Sequence, residues 1–475
     1  MAAPNSKTQS FDAIIIGAGQ AGPALAGRLT AAGWTVAVVE RKDLGGTCVN
    51  TGCMPTKTLV ASAYAAHLAR RSADYGVVLR GEVGVDMKRV HDRARTVTLN
   101  ARGNLEKWLG GMKGCTVFRG HARFEGADTV RVGDDLLTAP KIFLNVGGRA
   151  NAPAMPGLDD ISYLTNVGMM AVETLPAHLV IVGGSYIGLE FAQMYRRFGA
   201  DVTVVEMGPR LIGREDPEVS EAVREILEAE GVNIRLNAEC IAFAPCKTEG
   251  GDQGVCVHVT CQDGAPQVVG SHVLLAIGRR PNTDDLGLDR AGVDLDARGY
   301  VVVDDQLRTS NPGVWALGDC NGRGAFTHTA YNDFEIVAAN LLDPDPEGGE
   351  SRKVSDRIAC YGLFIDPPLG RVGLTEAQAR ATGRPLLVGQ RPMTRVGRAV
   401  EKGETQGFMK VVVDAETRQV LGAAILGLNG DEAVHGLVDL MYAKAPYTVI
   451  QHAVHIHPTV SELIPTMLGE LKPLV

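Results

Sequence analysis

The chain has 475 residues, 57 of them Gly, with 45% hydrophobic and 21% charged residues, a balance that excludes disorder and leaves room for about three domains at roughly 150 residues each. Lys and Arg number 47 against 55 Asp and Glu, a net charge of −8, which repels a phosphate polyelectrolyte and argues against nucleic-acid binding while leaving nucleotides open as small ligands. Nine Cys at low density, no signal-like pattern in MAAPNSKTQS and no apolar run near ~18 residues predict a cytoplasmic protein with mostly reduced thiols and no membrane partner.

Two segments share one layout of apolar strand, glycine-rich turn, helix and second strand ending in an acid: Asp12 to Glu40 and His178 to Glu206. In the first, a buried strand Ala13 to Ile16 runs into Gly17-Ala18-Gly19-Gln20-Ala21-Gly22. Gly17 permits the turn, Gly19 lets a pyrophosphate approach the backbone, and Gly22 lets helix pack on strand. Glu40, about 20 residues on, suits a ribose hydroxyl.

Cys48 and Cys53 follow in GGTCVNTGCMPTK, with Gly46 and Thr47 just before. Positions i and i+5 of an ideal helix lie about 8 to 9 Å apart, beyond the roughly 7 Å reach of a disulfide. The chain must therefore be irregular here if the two pair, and Gly52 makes that available. Pro55 suits a helix's first turn, so Cys53 is expected near a helix N-terminus that favours a thiolate. The two cysteines read as a redox pair, or else as unrelated buried thiols. Lys57 reads as a solvated helix residue, or as a cation beside a flavin.

A helical stretch is expected from about Pro55 to Leu109, then a small antiparallel insertion over Thr116 to Phe124 and Thr129 to Val132. The second unit carries Gly183-Gly184-Ser185-Tyr186-Ile187-Gly188 after Leu179 to Val182. Gly183 and Gly188 with Ser185 between them fit a second pyrophosphate turn. Two such turns imply two dinucleotides. Glu206 at the end of the next strand would bind a free 2′-hydroxyl and repel a 2′-phosphate, so NADH is expected in preference to NADPH. Tyr186 reads by default as a core aromatic and Glu190 as a solvated helix residue.

After Val273 to Ile277 the chain turns at Gly278. The strand Val314 to Leu317 ends in Gly318-Asp319, where the carboxylate could accept from a sugar alcohol, and a helix from about Thr327 would offer N–H groups to an anionic ring. Asp343 to Ser355 is a polar linker. Beyond it, Met409 to Val413 and Val420 to Leu426 predict a hairpin and Asp431 to Lys444 a helix. Near the end, HIHPTVSE sets Glu462 five residues after His457. That Glu could fix the ring's tautomer and raise its pKa, making His457 an acid–base for a thiol. His455 and His457 as metal ligands is the weaker reading, since no Cys and no further His accompanies them in this segment, and no metal site is assigned.

With these pieces in order, the whole chain resembles the class I pyridine nucleotide–disulfide oxidoreductases, the flavoproteins that include dihydrolipoamide dehydrogenase, glutathione reductase and mercuric reductase. GGTCVNTGCMPTK, GGSYIGLE, TSNPGVWALGD and HIHPTVSE carry the resemblance. It implies an α/β fold of two Rossmann-like dinucleotide-binding domains plus a C-terminal α+β dimerisation domain. The ranges expected are 1–150 for FAD, 151–277 for NAD(H), 278–350 for a central domain completing the FAD site, and 351–475 for dimerisation. It further implies that FAD binds the first unit and Asp319, that Tyr186 covers the nicotinamide pocket, and that Glu190 partners Lys57. Cys53 would be the flavin-facing sulfur of a Cys48–Cys53 disulfide, and Cys48 the one that meets substrate. His457 would reach Cys48 of the other subunit of a homodimer.

GGTCVN and GDCNGRGAFTH lean toward the mercuric-reductase-like branch, which includes copper(II)-reducing flavoproteins. The vicinal cysteines of mercuric reductases are absent from Leu471 to Val475, and Cys48 is the first cysteine, so mercury is not the expected natural substrate. The expected activity is NADH-dependent reduction, through FAD and the cysteine pair, of a small disulfide, a metal ion or another oxidant. Dihydrolipoamide dehydrogenase is the alternative of the same class, and a flavin-holding redox sensor without turnover the alternative of another.

Overall fold

Every residue of the strand Ala13–Ile16 is buried, as a strand covered on both faces requires, and its side chains alternate between two cores. Ala13 and Ile15 pack, with Val36, Val38 and Phe143, against residues of the helices Ala21–Ala31 and Thr327–Leu342. Ile14 and Ile16 pack, with Ala37, Val39 and Leu144, against Phe124, Val130 and Leu137. The computed structural model describes residues 8–248, 250–260, 265–343 and 351–474; residues 1–7 and most of the Asp343–Ser355 linker lie outside that range.

By contacts the chain divides into two units, one of Met1–Thr58, Asp92–Asn151 and Gly278–Arg357, the other of Leu59–His91, Ala152–Ile277 and Ile358–Val475. In the first, a five-stranded sheet runs Val314–Ala316, Ile142–Leu144, Ala13–Ile16, Val36–Glu40, Cys115–Arg119, with every pairing parallel. Beside it lies a four-stranded sheet of Thr8–Ser10, Asp135–Thr138, Thr129–Val132 and Ala122–Phe124. The expected antiparallel insertion is therefore corrected at its start, because Cys115–Arg119 pairs in parallel with Val36–Glu40. As an edge strand with one face half open, it shows the alternation that also marks an antiparallel strand.

The expected helical stretch is two helices, Cys53–Arg70 and Met87–Gly110. They are separated by a segment in which Gly76 and Gly81 adopt positive φ.

In the second unit, Asn233–Arg235, Asp201–Val205, His178–Val182 and His272–Leu275 form a four-stranded parallel sheet. A three-stranded antiparallel sheet follows, of Glu239–Lys247, Gln253–Thr260 and Gln267–Gly270. The expected hairpin forms as Phe408–Asp414 against Val420–Leu426, inside a six-stranded sheet. The helix expected over Asp431 to Lys444 is two short ones, Gly430–Ala433 and His435–Tyr442. Buried Arg371 pairs with Glu215 and Asp216, and buried Lys410 with Asp216, Glu218 and Glu376. Each buried charge is thus compensated, which is the condition for tolerating it. Among the described residues no helix is long and apolar enough to cross a membrane, and no group of three or more His, Cys, Asp and Glu is arranged to hold a metal.

Candidate active site

The two glycine turns are built alike. Gly17 has φ +104°, and a Cβ there would stand 2.2 Å from the Asn145 carbonyl oxygen; Gly183 has φ +114°, and a Cβ would stand 2.4 Å from that of Ala276. Only glycine meets both demands. Cβ atoms at Gly22 and Gly188 would lie 2.4 and 2.1 Å from the carbonyl oxygens of Gly17 and Gly183, so each helix packs on its own turn as expected. Glu40 accepts from the N–H of Ala18 at 2.9 Å and of Lys42 at 2.8 Å. Glu206 accepts from Gly184 at 2.6 Å and Gly208 at 2.7 Å. Each carboxylate oxygen keeps a second lone pair for a ribose hydroxyl.

Around the first turn, Gly46 approaches closely enough that a Cβ on it would lie 2.9 Å from the Cα of Gly19, and Thr47 beside it is exposed. Gly278 has φ +105° and its carbonyl accepts from Asn151 N–H. Asp319, in the turn Gly318–Asn321, lies 3.4 Å from Arg279, whose guanidinium also donates to the Gly148 carbonyl at 2.6 Å. Asp333, 1% exposed, fixes that turn by accepting from Gly318 N–H at 2.8 Å and the Asn321 amide at 2.9 Å, while pairing with Arg357.

Cys48 lies in the short helix Gly46–Asn50, and Cys53 opens the helix Cys53–Arg70. Thr51, at φ −145°, breaks the helical path between them, so the irregularity the pair needs is present. Both are free thiols. Cys53 meets the positive ends of two helices, its own and that of Thr327–Leu342, whose Thr327 Oγ1 lies 3.2 Å from Cys53 Sγ. The Cys53 pKa falls to about 6, through the hydrogen bond from the Cys48 thiol first and then Thr327 and the charge of Lys57, against the cost of partial burial. The hydrogen bond to Cys53 and burial push Cys48 the other way, far above the ordinary thiol range. Cys48 therefore keeps the proton and Cys53, the more exposed of the two, is the one favoured as the thiolate. Asn50 braces this loop by donating to the carbonyls of Leu44 and Gly46 and accepting from Arg102.

In the second unit Ser185 is exposed at the N-cap position of the helix Tyr186–Phe198, with no side-chain hydrogen bond to the helix, and Tyr186 is half-buried at its first position. Glu190, expected by default in solvent, is 5% exposed and accepts from the Phe364 N–H at 3.1 Å. His457 is exposed, and its Nδ1 lies 3.0 Å from both Glu462 oxygens. With Nδ1–H donating to the carboxylate, Nε2 is the basic edge and faces outward. Asn50, Asn145, Arg279, Thr327 and Asp333 were not singled out as site residues from sequence. Only Asn50 and Thr327 carry a local signal, lying within the cysteine motif and at a helix start.

A family model for pyridine nucleotide-disulphide oxidoreductases matches residues 11–333, and one for the dimerisation domain of these enzymes matches residues 360–468. The chain belongs to that family. Among its relatives, the probable pyridine nucleotide-disulfide oxidoreductase RclA of Escherichia coli (strain K12) is 33% identical over 97% of this chain and 99% of the relative. A dihydrolipoyl dehydrogenase of Rhizobium etli is 32% identical over 96% of each chain. A mercuric reductase of Bacillus cereus is 31% identical over 92% of this chain and 69% of the relative. The solved Cu(II) complex of the HOCl-induced flavoprotein disulfide reductase RclA from E. coli superposes with a TM-score of 0.86 at 33% identity, covering 97% of this chain and 99% of that one.

This pyridine nucleotide–disulfide oxidoreductase is an NAD(P)H-dependent flavoprotein that uses FAD, with an α/β fold and a C-terminal dimerisation domain. Its residues fit both cofactors. Both turns depend on glycine, at Gly17 and Gly22 and at Gly183 and Gly188, with Gly19 in the first and the small Ser185 in the second where a pyrophosphate would approach, and each holds a carboxylate, Glu40 or Glu206, that could accept from a ribose hydroxyl.

Proposed function

We propose that this enzyme takes reducing equivalents from NADH and passes them through Cys53 and Cys48 to a small disulfide or a metal ion, working as a homodimer. The observation that carries the reading is the placement of Cys53 as the first residue of the helix Cys53–Arg70, with Thr327 Oγ1 3.2 Å from its Sγ and the Cys48 thiol as its hydrogen-bond partner. FAD, when bound, supplies the relay of an electron pair from the nicotinamide to the cysteines. In this reading Gly17, Gly19, Gly22, Glu40, Gly46, Thr47, Gly278 and Asp319 hold the flavin dinucleotide. Gly183, Ser185, Gly188 and Glu206 hold NADH, Tyr186 covers its ring, and Lys57 and Glu190 supply a cation and a carboxylate on the flavin side.

Because Cys48 holds its proton, it needs a base to become a nucleophile. The partner subunit's His457 supplies it through Nε2, with Nδ1 held by Glu462. The Cys48 thiolate then attacks a substrate disulfide, forming a mixed disulfide and expelling one thiolate, which recovers the proton from the imidazolium. Cys53 attacks the Cys48 sulfur, expels the second thiolate and closes the Cys48–Cys53 disulfide. One substrate disulfide gains two electrons and the protein pair loses two.

The likeness to the RclA copper complex supports a second acceptor, Cu(II): two Cu(II) ions would take one electron each as the Cys48–Cys53 disulfide closes and the Cys48 proton passes to water, with no leaving thiolate for a base to protonate. Steady-state NADH oxidation by the holoenzyme with dihydrolipoamide's disulfide, oxidised glutathione, Cu(II), Hg(II) and quinones separates these cases. Turnover with a disulfide that His457→Ala abolishes supports the first. Turnover with Cu(II) that survives His457→Ala supports the second. NADH oxidation that persists with every acceptor in Cys48→Ser would overturn both.

A further inference from the structure

A second pair of cysteines lies far along the chain from Cys48 and Cys53. Cys246 is the penultimate residue of the strand Glu239–Lys247, and Cys256 lies within Gln253–Thr260. The register sets Ala244 opposite Cys256 and Gly254 opposite Cys246, so the two cysteines are diagonal neighbours on one face of an antiparallel pair. The Cα atoms are 5.7 Å apart and the sulfurs are bonded, a separation that a disulfide bridges without moving the backbone.

Two features distinguish the sulfurs. Cys256 is 4% exposed whereas Cys246 is half-buried, so an incoming thiolate reaches Cys246. Gln267, on the neighbouring strand Gln267–Gly270, donates its side-chain amide to Cys256 Sγ at 2.8 Å. An N–H donor favours the charged form of a thiol, so Cys256 is the sulfur equipped to leave. An open sulfur for attack and a stabilised one for departure are what thiol–disulfide exchange requires.

We propose that Cys246 and Cys256 are a second reversible disulfide, independent of Cys48 and Cys53, closed by peroxide-class oxidants and opened by dithiols. Closure by hydrogen peroxide converts two thiols and one peroxide into the disulfide and two waters. In opening, a dithiol's thiolate attacks Cys246 Sγ and the Cys256 thiolate departs. The dithiol's second sulfur then attacks the mixed disulfide, releasing Cys246 and leaving the reagent as a disulfide; the two protons from the dithiol finish on Cys246 and Cys256.

The test uses the full-length flavoprotein carrying Cys48→Ser and Cys53→Ser, so that the first pair cannot contribute. It is reduced with dithiothreitol, freed of reductant, treated with hydrogen peroxide, blocked with iodoacetamide and digested for mass spectrometry. The expected result is a cross-linked pair of peptides containing Cys246 and Cys256, which the native protein loses again on treatment with dithiothreitol. Gln267→Leu should slow that reopening about fivefold without changing which cysteines pair. Three outcomes would overturn the proposal: both cysteines still alkylated after peroxide, Cys246 linked to another cysteine, or a Cys246–Cys256 bond that dithiothreitol opens only after denaturation.

Discussion

Thr327 and Cys53 are 274 residues apart in the chain, yet the threonine hydroxyl lies 3.2 Å from the cysteine sulfur. Each is the first residue of its helix, so the sulfur stands where the positive ends of two helix dipoles converge. The Cys53 pKa of about 6 means that the thiolate predominates at pH 7 and is lost as pH falls through that value. Alkylation of Cys53 in the reduced protein, followed by mass spectrometry, should slow about tenfold between pH 7 and pH 5. Thr327→Val removes one stabiliser of the charged form and should move the midpoint upward, slowing alkylation at pH 6 roughly fivefold. Thr327→Ser should restore the profile. A midpoint indifferent to the valine would mean that the hydroxyl only fills space.

Glu206 makes two contributions that one substitution can separate. Its oxygens hold the N–H groups of Gly184 and Gly208, and its charge opposes a 2′-phosphate. Glu206→Gln keeps one acceptor for the turn and removes the charge. The ratio of kcat/KM for NADH over NADPH should fall roughly tenfold, mostly through the gain with NADPH. A wild-type preference for NADPH would contradict the assignment of NADH.

Asp333 is the side chain on which the Gly318–Asn321 turn depends. Asp333→Leu leaves the Gly318 N–H and the Arg357 guanidinium without their shared carboxylate in a buried place. A loss of about 3 to 5 kcal/mol is expected, as for one partner removed from a buried pair. Thermal unfolding of the variant should show a lower Tm, and the purified protein should retain less FAD, because Asp319 belongs to the same turn. An unchanged flavin content with an unchanged Tm would show that the turn is held by its backbone alone.

Asp333 also shows where sequence reading stops. The glycine turns were legible because their constraint is local: a positive φ and a missing Cβ at fixed spacing from a strand. The cysteine loop was legible for the same reason: if Cys48 and Cys53 pair, the reach of a disulfide asks for a break between them, expected at Gly52 and found at Thr51. Asp333 lies in mid-helix, where an acid looks solvated by default. What buries it is Arg357 and a turn more than ten residues upstream, neither of which the helix itself announces. Cys246 and Cys256 were passed over for a related reason: only the strand register sets them side by side, and register is not visible in spacing. Cys115–Arg119 was misread because an edge strand and an antiparallel strand leave the same alternating trace.

The assembly prediction concerns His457 and Cys48. Glu462 holds the Nδ1 edge of His457 and leaves Nε2 facing outward on an exposed ring, and the neighbouring apolar Val454 and Ile456 are exposed in the single chain, Ile456 at 81%. A dimerisation domain that exposes apolar side chains beside an oriented base is suited to burying the former while presenting the latter. If the base serves the Cys48 of the other chain, Cys48→Ser and His457→Ala homodimers should each lack disulfide reductase activity. Subunit exchange between them should then restore it, because in a mixed dimer one of the two sites combines a wild-type Cys48 with a wild-type His457. With equal mixing, half the dimers are mixed and carry one competent site of two, so about a quarter of wild-type activity is expected from the two-fold symmetry. Tagging the two variants differently and isolating the mixed dimer should raise that to about half. A demonstrated heterodimer without activity would place the base within its own chain, or remove it from the mechanism.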